Sequence, residues 1–156
     1  MVEQPSYLGV PTADWVAALK SSDPLERRLA AHALAEIGRT AWEAVPALTE
    51  ALRDPVSFVR MWAAAALARV EPENPDAISA LVAGMRDQIY FVRSLAAWHL
   101  GRLGPLHVGI EAAVPKLREL VIDNDPSVRA EALVALENLD GKGAPPAELK
   151  SLSTRE

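Results

Sequence analysis

The sequence contains no cysteine, few aromatic residues, no excess of basic charge and no long apolar run. Without cysteine, the chain can form neither disulfides nor thiolate metal sites. Aromatic residues make up only 5% of the chain, whereas β-sheets are usually rich in β-branched and aromatic residues. The net charge of −5 disfavours a nucleic-acid partner, because phosphate binding depends on lysine and arginine. No stretch approaches the roughly 18 apolar residues of a membrane span, so we expect no membrane partner either.

The composition that remains is typical of a soluble helical protein. Half of the 156 residues are apolar and 24% are charged, which is the balance of a folded chain. Alanine dominates the apolar half, and alanine favours closely packed helices. The first residues, MVEQPSYLGVP, lack a basic stretch followed by an apolar run, so we expect no secretory signal and a cytoplasmic location.

An internal repeat organises the chain. Four segments align on an arginine, and the separations between these arginines are 33, 33 and 36 residues. In every segment an alanine follows 3 residues later, a leucine 7 later and an aliphatic residue 10 later. These offsets keep one face of a helix, since each residue turns it by about 100°. The repeated arginines are Arg27, Arg60, Arg93 and Arg129.

A second, shorter helix precedes each arginine-bearing helix. The apolar spacing predicts these first helices at approximately 14–20, 42–53, 76–86 and 110–122. Pro46 and Pro115 fall in first turns, where proline is tolerated. Three of the four connecting turns carry aspartate ahead of proline, a pattern that can cap the following helix. A single hairpin cannot bury its apolar face, so we predict an all-α fold in which four hairpins stack as an α-solenoid.

The repeat also sets the expected domain organisation. We predict an N-terminal extended segment at 1–11, a repeat domain at 12–140 and a flexible C-terminal tail at 141–156. The repeats span approximately 12–39, 40–73, 74–105 and 106–140. An alternative for the tail is that residues 147–152 fold back over the last repeat. The loop at 104–109 is longer than its counterpart and is a candidate contact point.

The segment VRSLAAWHLGRLG at 92–104, with VPAL at 45–48 and VPKL at 114–117, resembles the HEAT repeat. It is most similar to the HEAT-like subclass of phycobilisome lyases, and the resemblance covers about 12–140. Glu26 and Glu137 depart from the pattern, both in terminal repeats, where polar capping variants are expected. The resemblance implies a solenoid in which the second helix of each hairpin lines a concave surface.

Three positions of each second helix point away from the core. They lie two, five and nine residues after the repeated arginine, and we call them inner-face positions. They hold two tryptophans, each able to contribute roughly 150–250 Å² of contact area, and arginines, which with tryptophan dominate interface energies. An alternative is that tight curvature buries both tryptophans between repeats. The predicted partner-binding residues, including one at the edge of this face, are Leu29, His32, Met61, Trp62, Arg69, Leu95, Trp98 and Arg102.

The repeated arginines themselves are predicted to be structural, because they recur in step with the repeat. Each is expected to pair with an aspartate at a hairpin turn or to bind helix carbonyls. The candidate acids are Asp54, Asp87 and Asp123.

No constellation of catalytic or metal-binding residues is evident. The three histidines, His32, His99 and His107, lack the spacing of metal ligands. The sequence has neither a G-x-S-x-G nucleophile motif nor a phosphate-binding loop. We therefore expect no catalytic residue, no metal and no cofactor.

The leading functional hypothesis is a non-catalytic protein–protein interaction module that binds a partner protein or peptide on its concave face. One alternative is a structural or self-assembling subunit, forming a homo-oligomer through its terminal helices. The resemblance suggests a second, minor alternative, a bilin lyase-like chromophore-binding accessory protein. Some HEAT-like folds act as alkyl-base DNA glycosylases, but the acidic charge and the short array count against nucleic acid here.

Overall fold

A computed structural model describes residues 5–140 of the chain. The predicted flexible tail, residues 141–156, and the first four residues lie outside the described residues. Apart from one short hairpin, the regular elements within 5–140 are helices. The described residues divide into two compact units, one ending at Ala80 and the other beginning at Leu81.

The helices alternate between short and long in chain order. They are α1 (Thr12–Ala18), α2 (Pro24–Ile37), α3 (Val45–Ala51), α4 (Ser57–Val70), α5 (Pro75–Gly84), α6 (Tyr90–Leu103), α7 (Val114–Leu120) and α8 (Pro126–Asp140). The repeated arginines lie on the long helices α2, α4, α6 and α8.

Two of the predicted first helices are divided in the structure. A 3₁₀ segment, Gly38–Ala44, precedes α3, and a second, Ile110–Ala113, precedes α7. Pro46 and Pro115 lie in the first turns of α3 and α7. Proline has no N–H to donate and its ring excludes the preceding helical turn, so the α-helix starts beside the proline rather than upstream.

The N-terminal segment, predicted to be extended, is a β-hairpin over the described residues. Strands β1 (Ser6–Tyr7) and β2 (Val10–Pro11) pair antiparallel. Leu8 and Gly9 both have positive φ, 52° and 77°, as a two-residue turn matching the twist of the strands requires. The hydroxyl of Thr12 donates to the carbonyl oxygen of Pro5 at 2.8 Å and closes the hairpin. β1 packs against α2.

In the first unit α1 packs on α2, α3 packs on α4, and α2 packs along α4. Most core positions predicted from the repeat are buried: the alanines three residues after each arginine and the leucines seven after it (Ala30, Ala63, Ala96, Ala132, Leu34, Leu67, Leu100 and Leu136). At the aliphatic position ten residues after the arginine, Val70 and Leu139 are buried, whereas Ile37 and Leu103 are partly exposed. Small and large side chains therefore alternate along each buried helix face, which lets neighbouring helices approach closely.

In the second unit α6 packs along α8, and α7 packs on α8. Gly101 lies at the α6–α8 contact, where a Cβ atom would come within 2.8 Å of the Cα atom of Ala135. The absence of a side chain at this position is thus required for the observed spacing of the two helices.

Candidate partner-binding surface

The repeated arginines bind the turn that precedes their own helix. In each repeat the guanidinium Nη1 donates to the carbonyl oxygens of the residues six and five positions earlier. The two distances are 2.9 and 3.2 Å for Arg27, 2.7 and 3.2 Å for Arg60, 2.9 and 3.1 Å for Arg93, and 2.9 and 3.2 Å for Arg129. These carbonyls follow the end of a first helix, where intrahelical donors are lacking, so the arginine fixes one helix of the hairpin to the other.

In the first unit this interaction extends to the neighbouring repeat. Arg27 donates to both carboxylate oxygens of Asp54, at 2.7 and 3.0 Å, and the N–H of Val56 donates to the same side chain at 2.9 Å. Burial of Asp54 is the largest influence on its pKa and raises it. The hydrogen bonds from Arg27 and Val56, with the charges of Arg27 and Arg60, together outweigh burial and hold the pKa below its usual value.

The second unit contains the same arrangement. Arg93 donates to both carboxylate oxygens of Asp123, at 2.9 and 2.8 Å, and the N–H of Asp125 donates to that carboxylate at 2.9 Å. Here too burial is the largest influence on the pKa of Asp123 and raises it. The hydrogen bonds from Arg93 and Asp125 and the charges of Arg93 and Arg129 together outweigh burial, so the pKa is below its usual value. Asp54 and Asp123 are two of the three partners that the sequence proposes.

The inner-face positions of the first unit contain a chain of rings. The imidazole of His32 on α2 meets the indole of Trp62 on α4 edge to face, with centroids 4.8 Å apart. Tyr7 of the hairpin also lies edge to face against His32, with centroids 5.9 Å apart. Trp62 and His32 are partly exposed. The indole is thus held in place by His32 and keeps part of its surface in solvent.

The charged inner-face residues of the first unit neutralise each other. Arg69 on α4 donates to Glu36 on α2 at 3.0 Å. Leu29, one helical turn before His32, remains 42% exposed. This surface therefore offers apolar and aromatic area beside an ion pair that is already formed.

Met61 does not lie on this surface. The sequence places it at the edge of the inner face, but the structure buries its side chain, which is 3% exposed. Helix α4 is buried on most of its circumference, from Val59 to Ala68 with few exceptions, so an edge position of this helix faces neighbouring helices rather than solvent. Met61 is therefore a core residue in this structure and not a contact residue.

The inner-face positions of the second unit combine an aromatic ring with a cation. The guanidinium carbon of Arg102 lies over the indole of Trp98, 4.7 Å from the ring centroid. Both side chains belong to α6, four residues apart, the spacing that brings side chains of one helix face together. Leu95 and Trp98 are partly exposed and Arg102 is exposed. On α8 the corresponding positions hold Glu131, Val134 and Asn138.

Tyr7 neighbours the inner face although no sequence pattern indicates it, because its hairpin lies outside the repeat. The most exposed tryptophan, Trp42, is likewise not among the predicted contact residues; it lies in the first 3₁₀ segment and is 73% exposed. In the loop at 104–109, proposed as a contact point, Leu106 is 96% exposed. A single exposed apolar residue in a loop carries no periodic signal, so only the structure locates it.

Among the helices of residues 5–140, none has both the length and the hydropathy that spanning a membrane requires. In the same part of the chain, no three histidine, aspartate or glutamate side chains are arranged to hold a metal ion.

Two protein families match the chain. The family described as HEAT repeats matches residues 12–101, and the family described as PBS lyase HEAT-like repeat matches residues 92–123. No curated protein matches the chain with significant similarity.

Several solved structures share the fold. An engineered protein from the Northeast Structural Genomics Consortium is 25% identical with a TM-score of 0.57, over 90% of this chain and 66% of that protein, so the chain spans about two thirds of its length. A second engineered protein from the same consortium is 26% identical with a TM-score of 0.57, over 91% and 67%. The complex of CpcE and CpcF of phycocyanin lyase from Nostoc sp. PCC7120 aligns at 23% identity and a TM-score of 0.61, over 90% and 85%.

These matches confirm the predicted fold class, an all-α solenoid, and the predicted likeness to phycobilisome-lyase repeats. The match to HEAT repeats alone covers more than half of the chain. The chain belongs to the HEAT-repeat family.

Proposed function

We propose that the chain is a non-catalytic protein–protein interaction module, which binds a partner protein or peptide through the inner-face positions of its second helices, the predicted concave face. The observation that carries this proposal is the partial exposure of Trp62 and Trp98 and the contact that each makes with a neighbouring side chain. Each indole is partly exposed and each is held by a neighbouring group, His32 in one case and Arg102 in the other.

An indole held in this way is well suited to binding. A partner that covers it gains the large contact area of the ring. Because the ring is already fixed by its neighbour, little conformational entropy remains to be lost when the partner binds. Tryptophan and arginine are also the residue types most often found where truncation weakens an interface strongly.

The distribution of perturbed ionisable groups supports a non-catalytic role. Shifted pKa values often mark catalytic sites. Here the aspartates with lowered pKa values, Asp54 and Asp123, are bound to Arg27 and Arg93 in the scaffold. The ionised carboxylates pair with arginines of the preceding repeat, and the pKa shifts therefore have a structural cause.

The comparisons add support of a general kind. CpcE and CpcF form a complex of two proteins in the phycocyanin lyase structure that shares this fold. A HEAT-repeat fold in that case is compatible with association between two protein chains. The same association is proposed here for a partner protein or peptide of this chain.

Selection from a phage library of random dodecapeptides against the immobilised chain tests the proposal. Peptides are expected to be enriched, and Trp62→Ala and Trp98→Ala together are expected to weaken their binding roughly thirtyfold or more. Trp42→Ala is the matched control, because Trp42 is an exposed tryptophan outside the inner face. It should bind as the wild type does.

Circular dichroism and thermal unfolding of each variant separate loss of binding from loss of fold. Peptides that bind the folded double variant as tightly as the wild type would contradict the proposal. Sedimentation of the wild-type chain tests the self-assembly alternative, which requires an oligomer.

A chromophore-binding accessory role is a second candidate, favoured by the match of residues 92–123 to the PBS lyase HEAT-like repeat. That segment includes Trp98 and Arg102, an aromatic ring and a cation able to contact a conjugated carboxylate-bearing pigment. Titration with a free bilin tests this role. A red-shifted absorbance would support it, and an unchanged spectrum would remove it.

A further inference from the structure

The two inner-face arginines differ in what neutralises them. Arg69 is bound to Glu36 at 3.0 Å. Arg102 is exposed, and within residues 5–140 no carboxylate lies at ion-pair distance from it. Its guanidinium rests instead on the indole of Trp98. One unit therefore presents a neutral pair at this position and the other presents a positive charge.

The difference follows from the residues nine positions after each repeated arginine. In the first unit the neighbouring helices α2 and α4 carry opposite charges there, Glu36 and Arg69. In the second unit Arg102 on α6 is matched on α8 by Asn138, which is neutral. Glu131 is seven residues away from Asn138 on α8, a rise of about 10 Å along the helix.

The position of Asn138 relative to α6 is well defined. Its Nδ2 atom would lie 3.5 Å from a Cβ atom at Gly101, the residue before Arg102. Asn138 therefore lies against α6 next to Gly101, at the position on α8 that is equivalent to Arg69 on α4. Asparagine carries no charge, so this position of α8 supplies no ion-pair partner for Arg102.

From this arrangement we propose that Leu95, Trp98 and Arg102 bind a partner segment in which a carboxylate lies next to an apolar side chain. The proposal rests on the proposed function and specifies the chemistry of the partner. The carboxylate accepts hydrogen bonds from the guanidinium, which has five N–H donors, and the apolar side chain covers the exposed parts of Leu95 and Trp98.

The position of Arg102 allows this contact. Its guanidinium carbon lies over the indole of Trp98 and the side chain is exposed, so its N–H groups remain accessible to a carboxylate, which a guanidinium can bind with two parallel hydrogen bonds. The chain as a whole has a net charge of −5, so it does not attract acidic partners at long range. Recognition of the carboxylate must therefore come from the direct contact with Arg102, and it should be local and specific.

Synthetic versions of the selected dodecapeptides test the inference on the full chain. In each peptide the acidic residues are replaced by glutamine, and affinity is measured for the wild type, Arg102→Gln and Arg118→Gln. We expect both peptide neutralisation and Arg102→Gln to weaken binding about tenfold, and the two changes together to weaken it no further. Arg118→Gln is the matched control, because Arg118 is an exposed arginine of α7 outside the inner face, and it should retain the preference for the acidic peptide.

The outcomes distinguish this inference from the proposed function. If no peptide is enriched, both are overturned. If peptides bind and depend on Trp98 but are indifferent to their acidic residues or to Arg102→Gln, the interaction module stands and the inference is wrong. An equal loss in Arg118→Gln would also overturn it, because the charge of Arg102 would then have no special role.

Discussion

The contact between α6 and α8 gives a sharp test of the packing. In Gly101→Ala the new Cβ would lie 2.8 Å from the Cα and 3.0 Å from the Cβ of Ala135. Carbon atoms normally make contact at about 3.5–4.0 Å. Because one of the clashing atoms belongs to the backbone and the other is fixed to it, no rotation of a side chain relieves the overlap. The two helices must move apart.

Two opposing effects determine the size of the change. Overpacking of a well-packed core costs about 1–3 kcal/mol, and a clash with backbone belongs in the upper half of that range. Alanine in place of glycine in a helix contributes about 1 kcal/mol in the other direction. The net expectation for Gly101→Ala is a loss of about 1–2 kcal/mol in the free energy of unfolding.

Urea unfolding followed by far-ultraviolet circular dichroism measures this loss. Ala130→Gly at an exposed position of α8 calibrates the helix-propensity effect and should cost about 1 kcal/mol without any clash. If Gly101→Ala proves more stable than the wild type by a similar amount, propensity acts alone, and the close approach of α6 and α8 described here is incorrect.

Three further changes concern the turns and their ion pairs. The pKa values of Asp54 and Asp123 are lowered in the folded state. Their contribution to the stability of the fold is therefore complete above the unfolded pKa of about 3.9 and is lost as the pH falls through the folded pKa values. The urea concentration at the unfolding midpoint should fall in acid, and it should fall by less in Asp123→Asn. Arg93→Gln leaves Asp123 without the arginine that binds both of its carboxylate oxygens, and it should lower the free energy of unfolding by about 2 kcal/mol, measured near neutral pH. An unchanged free energy would show that the ion pair does not stabilise the fold. Asp23 accepts a hydrogen bond from the N–H of Leu25 at the start of α2 at 2.8 Å, so Asp23→Ala should cost about 1 kcal/mol, and Asp23→Asn much less.

The fold could be predicted because its core is periodic. Ala96 and Leu100, like their counterparts in the other repeats, are buried in the structure at the offsets that the sequence indicates. A residue at the same offset in each repeat meets the same kind of neighbour, so four imperfect copies reinforce one another. The 3₁₀ segments before α3 and α7 could not be read in this way, because the apolar spacing of one turn does not distinguish 3₁₀ from α-helical geometry.

The candidate surface was predictable only in part. Trp62, Trp98 and Arg102 could be assigned to one side of their helices by angle alone. The burial of Met61 and the contact of Tyr7 with His32 depend on residues distant in sequence, and no local pattern encodes them. The signal that could have suggested the hairpin is Leu8–Gly9, since glycine at the second position of a two-residue turn favours positive φ.

The scaffold and the surface also obey different physical requirements. Every hairpin must join its two helices in the same way, so the arginine that binds the turn recurs at the same place in all four long helices. A partner protein has no reason to share that period, and the residues that would contact it therefore depart from it: tryptophan lies two residues after the repeated arginine on α4 and five residues after it on α6. The same reasoning separates Arg69 from Arg102. Where the scaffold supplies a carboxylate, the charge is already satisfied and contributes little to recognition; where it supplies an asparagine, the charge is left for the partner.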